Sequence, residues 1–333
     1  MDSLIIAVPS FLASAVVVVL AGIALAKYGD DLAVLTGWGA LWVGTILVSV
    51  ATSLPELVTN ISSVVFVDPP APGLALGNVY GADMINIFTI SLVAIAFGIG
   101  NIFGNQTKDT QTLIVVAIGI GIISVIFGAL GDWGLGPTSV GALVIAASYF
   151  LGMKLVYDAG SDKVEEESDV DTSWANQRPA WIGFGLAGLA VLAAAPVLAL
   201  SADGIAEATG LGRSFIGVLL VSIVTTLPEA SVTVAAALRK SYALVIGNIY
   251  GSCAFNLFVI PIAGFFYTGG PILQEMDNSH FVAAGSAIAL MTTGFLIVMS
   301  FKVQAMRWLR YTTFAIPPAY VGSLALVYNL SAA

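Results

Sequence analysis

Long apolar runs separated by short polar segments make up almost the whole chain. An apolar run of about 20 residues crosses a bilayer as a helix, because hydrocarbon offers no hydrogen-bond partner to a free backbone group. Ten such runs predict an all-α integral membrane protein with ten transmembrane helices. Their approximate spans are 4 to 26, 38 to 64, 74 to 99, 112 to 130, 136 to 157, 180 to 201, 212 to 237, 242 to 267, 281 to 300 and 311 to 330.

The composition supports a membrane protein and excludes several other classes. Of 333 residues only 9% are charged, 58% are hydrophobic, and the mean hydropathy is +0.98. A soluble domain carries about a quarter charged residues. One cysteine, Cys253, and one histidine, His280, argue against disulfide, zinc and redox chemistry. The net charge of -9 argues against nucleic acid as a partner, so membrane lipid is the expected surroundings, and we expect no cofactor.

The basic residues predict the orientation, because cytoplasmic loops are rich in Lys and Arg. If the N-terminus lies outside, Arg213 is the one basic residue on the outer face. This split predicts a multi-pass protein of the plasma membrane with both termini extracellular. The basic residues then placed inside are Lys27, Lys108, Lys154, Lys163, Arg178, Arg239, Lys240, Lys302, Arg307 and Arg310.

An internal repeat divides the chain into two halves. Residues 44 to 60 and 77 to 90 align with 217 to 233 and 247 to 260, and 15 of these 31 positions are identical. We therefore predict one five-helix repeat at 1–157, with its motif at 44–90, and another at 180–333, with its motif at 217–260. An odd number of helices separates the copies, so their topologies are inverted. Inverted repeats are typical of secondary transporters, which bind substrate near the membrane midplane.

The stretch 158–179 between the halves is acidic and is predicted to be a cytoplasmic linker. Two interpretations stay open for it, a solvated connection or a regulatory cation-binding loop. This acidity, together with only six lysines in the chain, is typical of proteins from high-salt cells and is consistent with a halophilic prokaryote.

Glu56 and Glu229 are equivalent carboxylates in the middle of predicted spans. A charge at this depth costs several kcal/mol, about 2.5 to 3.5 on insertion scales, unless it has a partner. Arg213, the nearest basic residue on the same helix as Glu229, is 16 residues away, or about 24 Å along the axis. The expected partner is therefore a mobile cation, with a permanently protonated structural glutamate as the alternative.

Hydroxyl side chains lie four and three residues before each glutamate, on the same helix face. A proline directly before each glutamate lacks an amide hydrogen and frees a carbonyl four residues back. These features add oxygen ligands, although a kink or a hydroxyl bonded to its own helix is the plainer interpretation. The hydroxyl residues are Thr52, Ser53, Thr225 and Thr226.

The second motif adds a polar stripe to the following helix of each repeat. Amide side chains need partners at membrane depth, and an ion site would supply them. Gly77 and Gly81 would let the helices approach closely, which is also the usual role of small residues in membranes. The stripes are Asn78, Ala82 and Asn86 in the first repeat and Asn248, Ser252 and Asn256 in the second.

Together these groups are hard oxygen ligands, which suit Ca2+ or Na+ better than the stricter octahedron of Mg2+. Two carboxylates balance one divalent ion. They could instead hold monovalent ions or protons, but not at the same time. Mutual exclusion at one site is the physical basis of antiport.

At these motifs the chain resembles the calcium/cation antiporter superfamily, in particular its prokaryotic sodium/calcium exchanger group. The family pattern is G-T-S-L-P-E followed by G-N-x-x-G-S-N-x-x-N. Here ATSLPE, TTLPE, GNVYGADMIN and GNIYGSCAFN stand at 51 to 56, 225 to 229, 77 to 86 and 247 to 256. The resemblance implies the sodium/calcium exchanger fold, with the first and sixth helices sliding over a core of the second, third, seventh and eighth.

The resemblance also implies the site residues and the substrates. Glu56 and Glu229 would bind Ca2+ and share in binding Na+, both as transported ions. Three departures concern the coupling ion: Ala82 replaces a serine, and Asp83 and Cys253 replace asparagines. We count Asp83 as a candidate ligand because it lies three residues before Asn86. The other implied ligands are Thr52, Ser53, Thr225, Thr226, Ser252, Asn86 and Asn256.

The sequence thus predicts a membrane transporter, not an enzyme, which exchanges Ca2+ for Na+ across the plasma membrane. H+/Ca2+ exchange is the alternative, favoured by Asp83 and the lost serine. A cation channel fits less well, since it needs a continuous pore, and an intramembrane enzyme lacks any catalytic motif in the spans. We expect a monomer whose partners are lipid and the exchanged ions.

Overall fold

The computed structural model describes residues 4–35, 49–104, 106–160 and 173–331. We number the longer α-helices of these ranges from α1 to α10. Their bounds are Leu4–Leu35, Leu54–Val65, Pro72–Phe97, Lys108–Leu130, Val140–Gly160, Trp174–Thr209, Ser222–Leu238, Tyr242–Phe266, Asn278–Ser300 and Ile316–Ser331.

Shorter elements join these helices. The α-helix Arg213–Ile216 and the π-helix Gly217–Val221 lead directly into α7, and a further short α-helix spans Ile99–Phe103. Two 3-10 helices, Ile272–Glu275 and Gln304–Ala315, flank α9. A two-stranded antiparallel hairpin, β1 at Gly134–Leu135 and β2 at Thr138–Ser139, connects α4 to α5. Apart from this hairpin, the regular elements described are helical, as predicted.

Eight helices of the described ranges are long and apolar enough to cross a membrane. They coincide with eight of the ten predicted spans. For the second span, residues 38 to 48 lie outside the described ranges, and a helical segment at 49–52, the turn at Ser53 and α2 supply the remainder. For the tenth, the predicted start at 311 is wrong, because the chain is 3-10 helical up to Ala315 and α10 begins at Ile316. Pro317 and Pro318 follow at once, and proline without an amide hydrogen fits the first turn of a helix.

Two helices are longer than the apolar runs that predicted them. Helix α1 continues to Leu35, and α6 runs from Trp174 to Thr209. An apolar run indicates the part of a helix in hydrocarbon, whereas the backbone ladder continues into the aqueous layer. Helices α5 and α6 therefore reach into the predicted linker from both sides. Most of its acidic residues, at 162 to 171, lie outside the described ranges.

The outer surface of the helices is apolar. Leu12 and Leu20 of α1, Phe150 of α5, and Leu186 and Leu189 of α6 are each about 60% exposed. Contiguous exposure of large apolar side chains is unfavourable in water and favourable in lipid. These faces are therefore the lipid-facing surface.

The two repeats pack across each other at the centre. Helix α3 packs against both α7 and α8, and α2 against α8. Helix α1 lies on α7 of the other repeat, and α6 lies on α2 in the same way. Glycines allow the central contacts: a Cβ on Gly81 would lie 2.5 Å from the carbonyl oxygen of Val218, and one on Gly217 would lie 2.5 Å from that of Leu74. The predicted close approach at the repeated glycines is confirmed for Gly81.

Candidate cation site

The two repeated glutamates lie inside this crossing. Glu56 is in the first turn of α2 and Glu229 is in α7, and both are fully buried. In the first repeat the helix is interrupted at Ser53, a turn residue. Helix α2 then begins at Leu54, with Pro55 in its first turn. In the second repeat α7 continues through Pro228. The same motif is therefore a helix start in one half and a helix interior in the other.

Each glutamate is bonded to the opposite repeat. Ser53 donates from Oγ to Oε1 of Glu229 at 2.9 Å. Thr226 donates from Oγ1 to Oε1 of Glu56 at 3.4 Å. Shared spacing on one helix groups these hydroxyls with their own glutamates, but the structure bonds each of them to the glutamate of the other repeat. The two carboxylates are thus held by one set of reciprocal contacts.

The remaining hydroxyls are distributed unequally between the two glutamates. Thr225 lies beside Glu56, whereas Thr52 and Ser252 lie beside Glu229. Thr52 and Ser252 also approach each other, with 3.5 Å between their hydroxyl oxygens. The position equivalent to Ser252 is Ala82 in the first repeat. Glu229 therefore has a hydroxyl neighbour that Glu56 lacks.

Each carboxylate keeps one oxygen free. Oε2 of Glu56 and Oε2 of Glu229 are buried and have no hydrogen-bond partner. Neither residue is in an ion pair among the described residues, where Arg213 pairs instead with Asp203 and Glu207. Two buried, partly unsatisfied acids require a cation or a proton. A calcium ion between the free oxygens would satisfy both charges at once.

Asparagine side chains fix the helices that carry the glutamates. Asn78 donates to the side-chain oxygen of Asn60 at 2.8 Å, and Asn248 donates to the hydroxyl of Thr233 at 3.0 Å. Asn248 also donates to the backbone carbonyl of Glu229 at 3.1 Å. Sequence reasoning missed Asn60 and Thr233. They occupy equivalent positions in the repeat, but their identities differ, so a search for identical residues passes over them.

Further along α3 and α8, the structure places the other predicted ligands in a second group. Asn256 donates from Nδ2 to Oδ1 of Asp83 at 3.2 Å, and Asn86 is fully buried on the same helix as Asp83. No hydrogen bond described for these three side chains reaches Glu56 or Glu229. The ten predicted site residues are therefore all buried, but they form two neighbouring groups.

Eight described helices long and apolar enough to cross a membrane, with acidic side chains buried where the two repeats cross, define the class of the protein as a helical membrane protein with a polar centre. The family model described as "Sodium/calcium exchanger protein" matches residues 6–157 and 179–329. The chain belongs to this family.

Two archaeal proteins are similar to parts of the chain. The chain is 29% identical over 212 residues to "Uncharacterized membrane protein MJ0091" of Methanocaldococcus jannaschii, a match covering 63% of this chain and 65% of that protein. It is 35% identical over 104 residues to "Sodium/calcium exchanger MaX1" of Methanosarcina acetivorans, covering 31% of this chain and 28% of that protein. Each match thus spans less than two thirds of the relative.

Solved structures share the fold. The sodium-calcium exchanger NCX_Mj aligns over 97% of this chain and 99% of its own, with 21% identity and a TM-score of 0.61. The H+/Ca2+ exchanger CAX aligns over 97% of this chain and 91% of its own, with 15% identity and a TM-score of 0.64. At these identities the likeness concerns the fold. The solved structures with this fold include one protein named for Na+ and one named for H+.

Proposed function

We propose that the protein is a secondary active antiporter that exchanges Ca2+ for Na+ across the plasma membrane. The observation that carries this proposal is the pair of buried glutamates, each bonded to the opposite repeat and each with one free oxygen. Two negative charges and surrounding hydroxyl oxygens match one Ca2+. The relative named as a sodium/calcium exchanger supports Na+ as the exchanged ion.

Antiport follows from competition for these oxygens. The free oxygens of Glu56 and Glu229 would hold Ca2+, and the hydroxyls of Ser53 and Thr226 would orient the two carboxylates. Sodium ions entering the same space would have to displace Ca2+, because the two glutamates balance only two positive charges. The empty site would leave two unpaired buried charges, which is costly. The protein would therefore change its accessible side only when loaded.

The helices that would open and close the site are α1 and α6. They pack mainly against each other and lie across α7 and α2, which carry the glutamates. Their buried surface includes small side chains such as Ala21, Ala187 and Ala195, beside larger ones such as Leu25 and Val191. Small apolar side chains interlock weakly, so we propose that these helices slide where the alanines lie. We propose that the site operates in a monomer with both termini outside.

H+/Ca2+ exchange is the second candidate, and one observation favours it. Ala82 leaves Glu56 without the hydroxyl that Ser252 provides to Glu229, while Asp83 adds a third buried acid nearby. Losing a neutral oxygen weakens a Na+ site, whereas protons need only the carboxylates. The neighbour titled as an H+/Ca2+ exchanger has the same fold.

Uptake of radioactive Ca2+ into proteoliposomes separates the two candidates. Vesicles loaded with Na+ and diluted into Na+-free buffer at equal pH should accumulate Ca2+ by the first proposal. Vesicles with an outward proton gradient and no Na+ should do so by the second. Glu56→Gln and Glu229→Gln should each reduce uptake to background. Glu207→Gln is the matched control, because this half-exposed glutamate lies outside the site. Uptake that survives either site substitution would contradict the proposal.

A further inference from the structure

The 3-10 helix Gln304–Ala315, which joins α9 to α10, carries a row of exposed aromatic side chains. A 3-10 helix has three residues per turn, so residues three apart lie directly above one another. Trp308, Tyr311 and Phe314 have this spacing, and they are 62%, 74% and 55% exposed. We call these three residues the aromatic ridge. Leu309 is buried on another side of the helix, so the helix rests on the protein with the ridge turned outward.

Basic side chains lie beside the aromatic ridge. Arg307 and Arg310 form the neighbouring row of the same helix, and Lys302 lies two residues after the end of α9. Arg310 is fixed in place, because it donates from Nη2 to the carbonyl of Ser300 at 3.0 Å and its central guanidinium carbon lies 3.9 Å from the ring centre of Phe301. One turn of a 3-10 helix rises about 6 Å, so Arg307 lies close to the same place. Three positive charges therefore gather at the end of α9.

These charges have no acidic partner among the described residues. No ion pair found there includes Lys302, Arg307 or Arg310. The sequence contains no Asp or Glu after Asp277. Lys302 and Arg307 are also exposed. This local excess of positive charge stands out on a chain whose net charge is -9, and its complement is an anion from outside the protein.

The aromatic ridge indicates that this anion belongs to a membrane. Trp and Tyr side chains favour the layer between hydrocarbon and water, because each ring is apolar with one polar edge. Helix α9 is long and apolar enough to cross a membrane and ends at Ser300, so the 3-10 helix that follows lies at this layer. A helix with an apolar side and cations beside it binds in the plane of the interface, where anionic headgroups attract the cations. A dissolved anion would not require the ridge.

We propose that Lys302 and the helix Gln304–Ala315 form a binding site for an anionic phospholipid in the leaflet at this end of α9. The lipid phosphate contacts Lys302 and Arg307, and the aromatic ridge lies against the glycerol and the upper acyl chains. Arg310 positions the helix, since its guanidinium already bonds the end of α9. The helix also packs against α3 and α10, so the lipid would stabilise a connection to the core. This inference uses no exchanged ion and does not depend on the proposed function.

Quenching of tryptophan fluorescence by brominated lipids tests the proposal on the full-length protein. The protein is reconstituted in mixed bilayers of phosphatidylcholine and phosphatidylglycerol in which one of the two lipids carries bromine. The difference between the wild type and Trp308→Phe gives the emission of Trp308. We expect stronger quenching of this emission when the anionic lipid carries the bromine. Combining Lys302→Gln with Arg307→Gln should reduce the preference for the anionic lipid about fivefold per removed charge at low salt.

Arg239→Gln combined with Lys240→Gln is the matched control, because it removes two exposed positive charges at the end of another long helix, α7. This control should keep the preference seen at Trp308. Equal quenching by both lipids in the wild type would overturn the proposal. An unchanged preference after Lys302 and Arg307 are replaced, or an equal loss in the control, would do the same. Inorganic phosphate that displaces the lipid at constant ionic strength would also overturn it, because the site would then bind a dissolved anion.

Discussion

At the scale of residues, the asymmetry between Ala82 and Ser252 is the feature most directly tied to the coupling ion. Ser252 lies beside Glu229 and 3.5 Å from the hydroxyl of Thr52, while Ala82 offers no oxygen to Glu56. The same backbone position in the two repeats thus provides a hydroxyl oxygen on one side only. A sodium site that uses Glu56 would have one oxygen fewer than its counterpart at Glu229.

Restoring this hydroxyl should strengthen Na+ binding. We expect Ala82→Ser to lower the Na+ concentration that half-saturates Ca2+ exchange by about three- to tenfold. This change corresponds to the free energy of about one additional hydrogen-bond-like contact. Initial rates of Na+-driven Ca2+ uptake into proteoliposomes measure this. Ala94→Ser, also buried on α3, is the control and should change little. An unchanged Na+ dependence in Ala82→Ser would place the Na+ ligands elsewhere.

At the scale of elements, α1 touches both proline motifs at a single glycine. A Cβ on Gly22 would overlap the ring of Pro228 and lie 3.4 Å from that of Pro55. Helix α1 therefore passes over the two helices that carry the glutamates with no side chain between them. If α1 slides, Gly22 has to pass the ring of Pro228 at this contact.

A methyl group at this contact should slow the movement of α1. We expect Gly22→Ala to reduce the maximal exchange rate at least about tenfold, because Pro228 is rigid and cannot turn aside. Gly188→Ala on α6 is the matched control, since a Cβ there meets no atom within 4 Å. Flux assays in proteoliposomes at matched protein content compare the two. Equal rates for the two variants would contradict a sliding contact at Gly22.

The single histidine, His280, has a structural role at the start of α9. The Asp277 carboxylate accepts from the amides of Ser279 and His280 at 2.8 and 3.0 Å, and Nδ1 of His280 accepts from the amide of Asp277 at 3.1 Å. Nε2 of His280 contacts the carbonyl of Gly73 at 2.9 Å, which ties α9 to α3. This capping box fixes the start of α9, and its contact with Gly73 gives His280 a structural role.

Removing this cap should destabilise the fold. Loss of an N-cap side chain costs about 0.5 to 2 kcal/mol, so Asp277→Ala should lower the melting temperature by a few degrees at pH 7. Burial alone would raise the pKa of Asp277, but its contact with the His280 ring and the hydrogen bonds that its carboxylate accepts from Ser279 and the His280 amide hold the pKa below its usual value. The stabilisation is therefore complete above the usual pKa of aspartate and is lost as the pH falls below it.

Thermal unfolding followed by tryptophan fluorescence measures the effect of this cap. Ser241→Ala is the control, because Ser241 precedes α8 without a capping hydrogen bond. An equal loss of stability in both variants would show that the Asp277 cap contributes nothing specific.

At the scale of the whole molecule, the two repeats pack so that each buried glutamate accepts a hydrogen bond from a hydroxyl of the other repeat. Hydropathy and the internal repeat can both be read directly from the sequence. They therefore predicted the helical membrane architecture and the buried positions. The cross-repeat bonds of Ser53 and Thr226 could not be predicted, since spacing along a helix ranks its own glutamate first. The packing of the helices determines which glutamate each hydroxyl bonds. Asn60 and Thr233 were missed for a different reason, because they occupy equivalent positions in the repeats but differ in identity.

The most direct test of the account is calorimetric titration of Ca2+ into the purified protein. A shared site requires one Ca2+ per chain in the wild type, and Glu56→Gln and Glu229→Gln should each abolish that binding, because either substitution removes half of the balancing charge. The double variant should lose no more Ca2+ binding than either single variant does. Independent sites predict the opposite: two ions in the wild type, or one ion retained in each single variant, and either result would contradict a calcium site shared between the repeats.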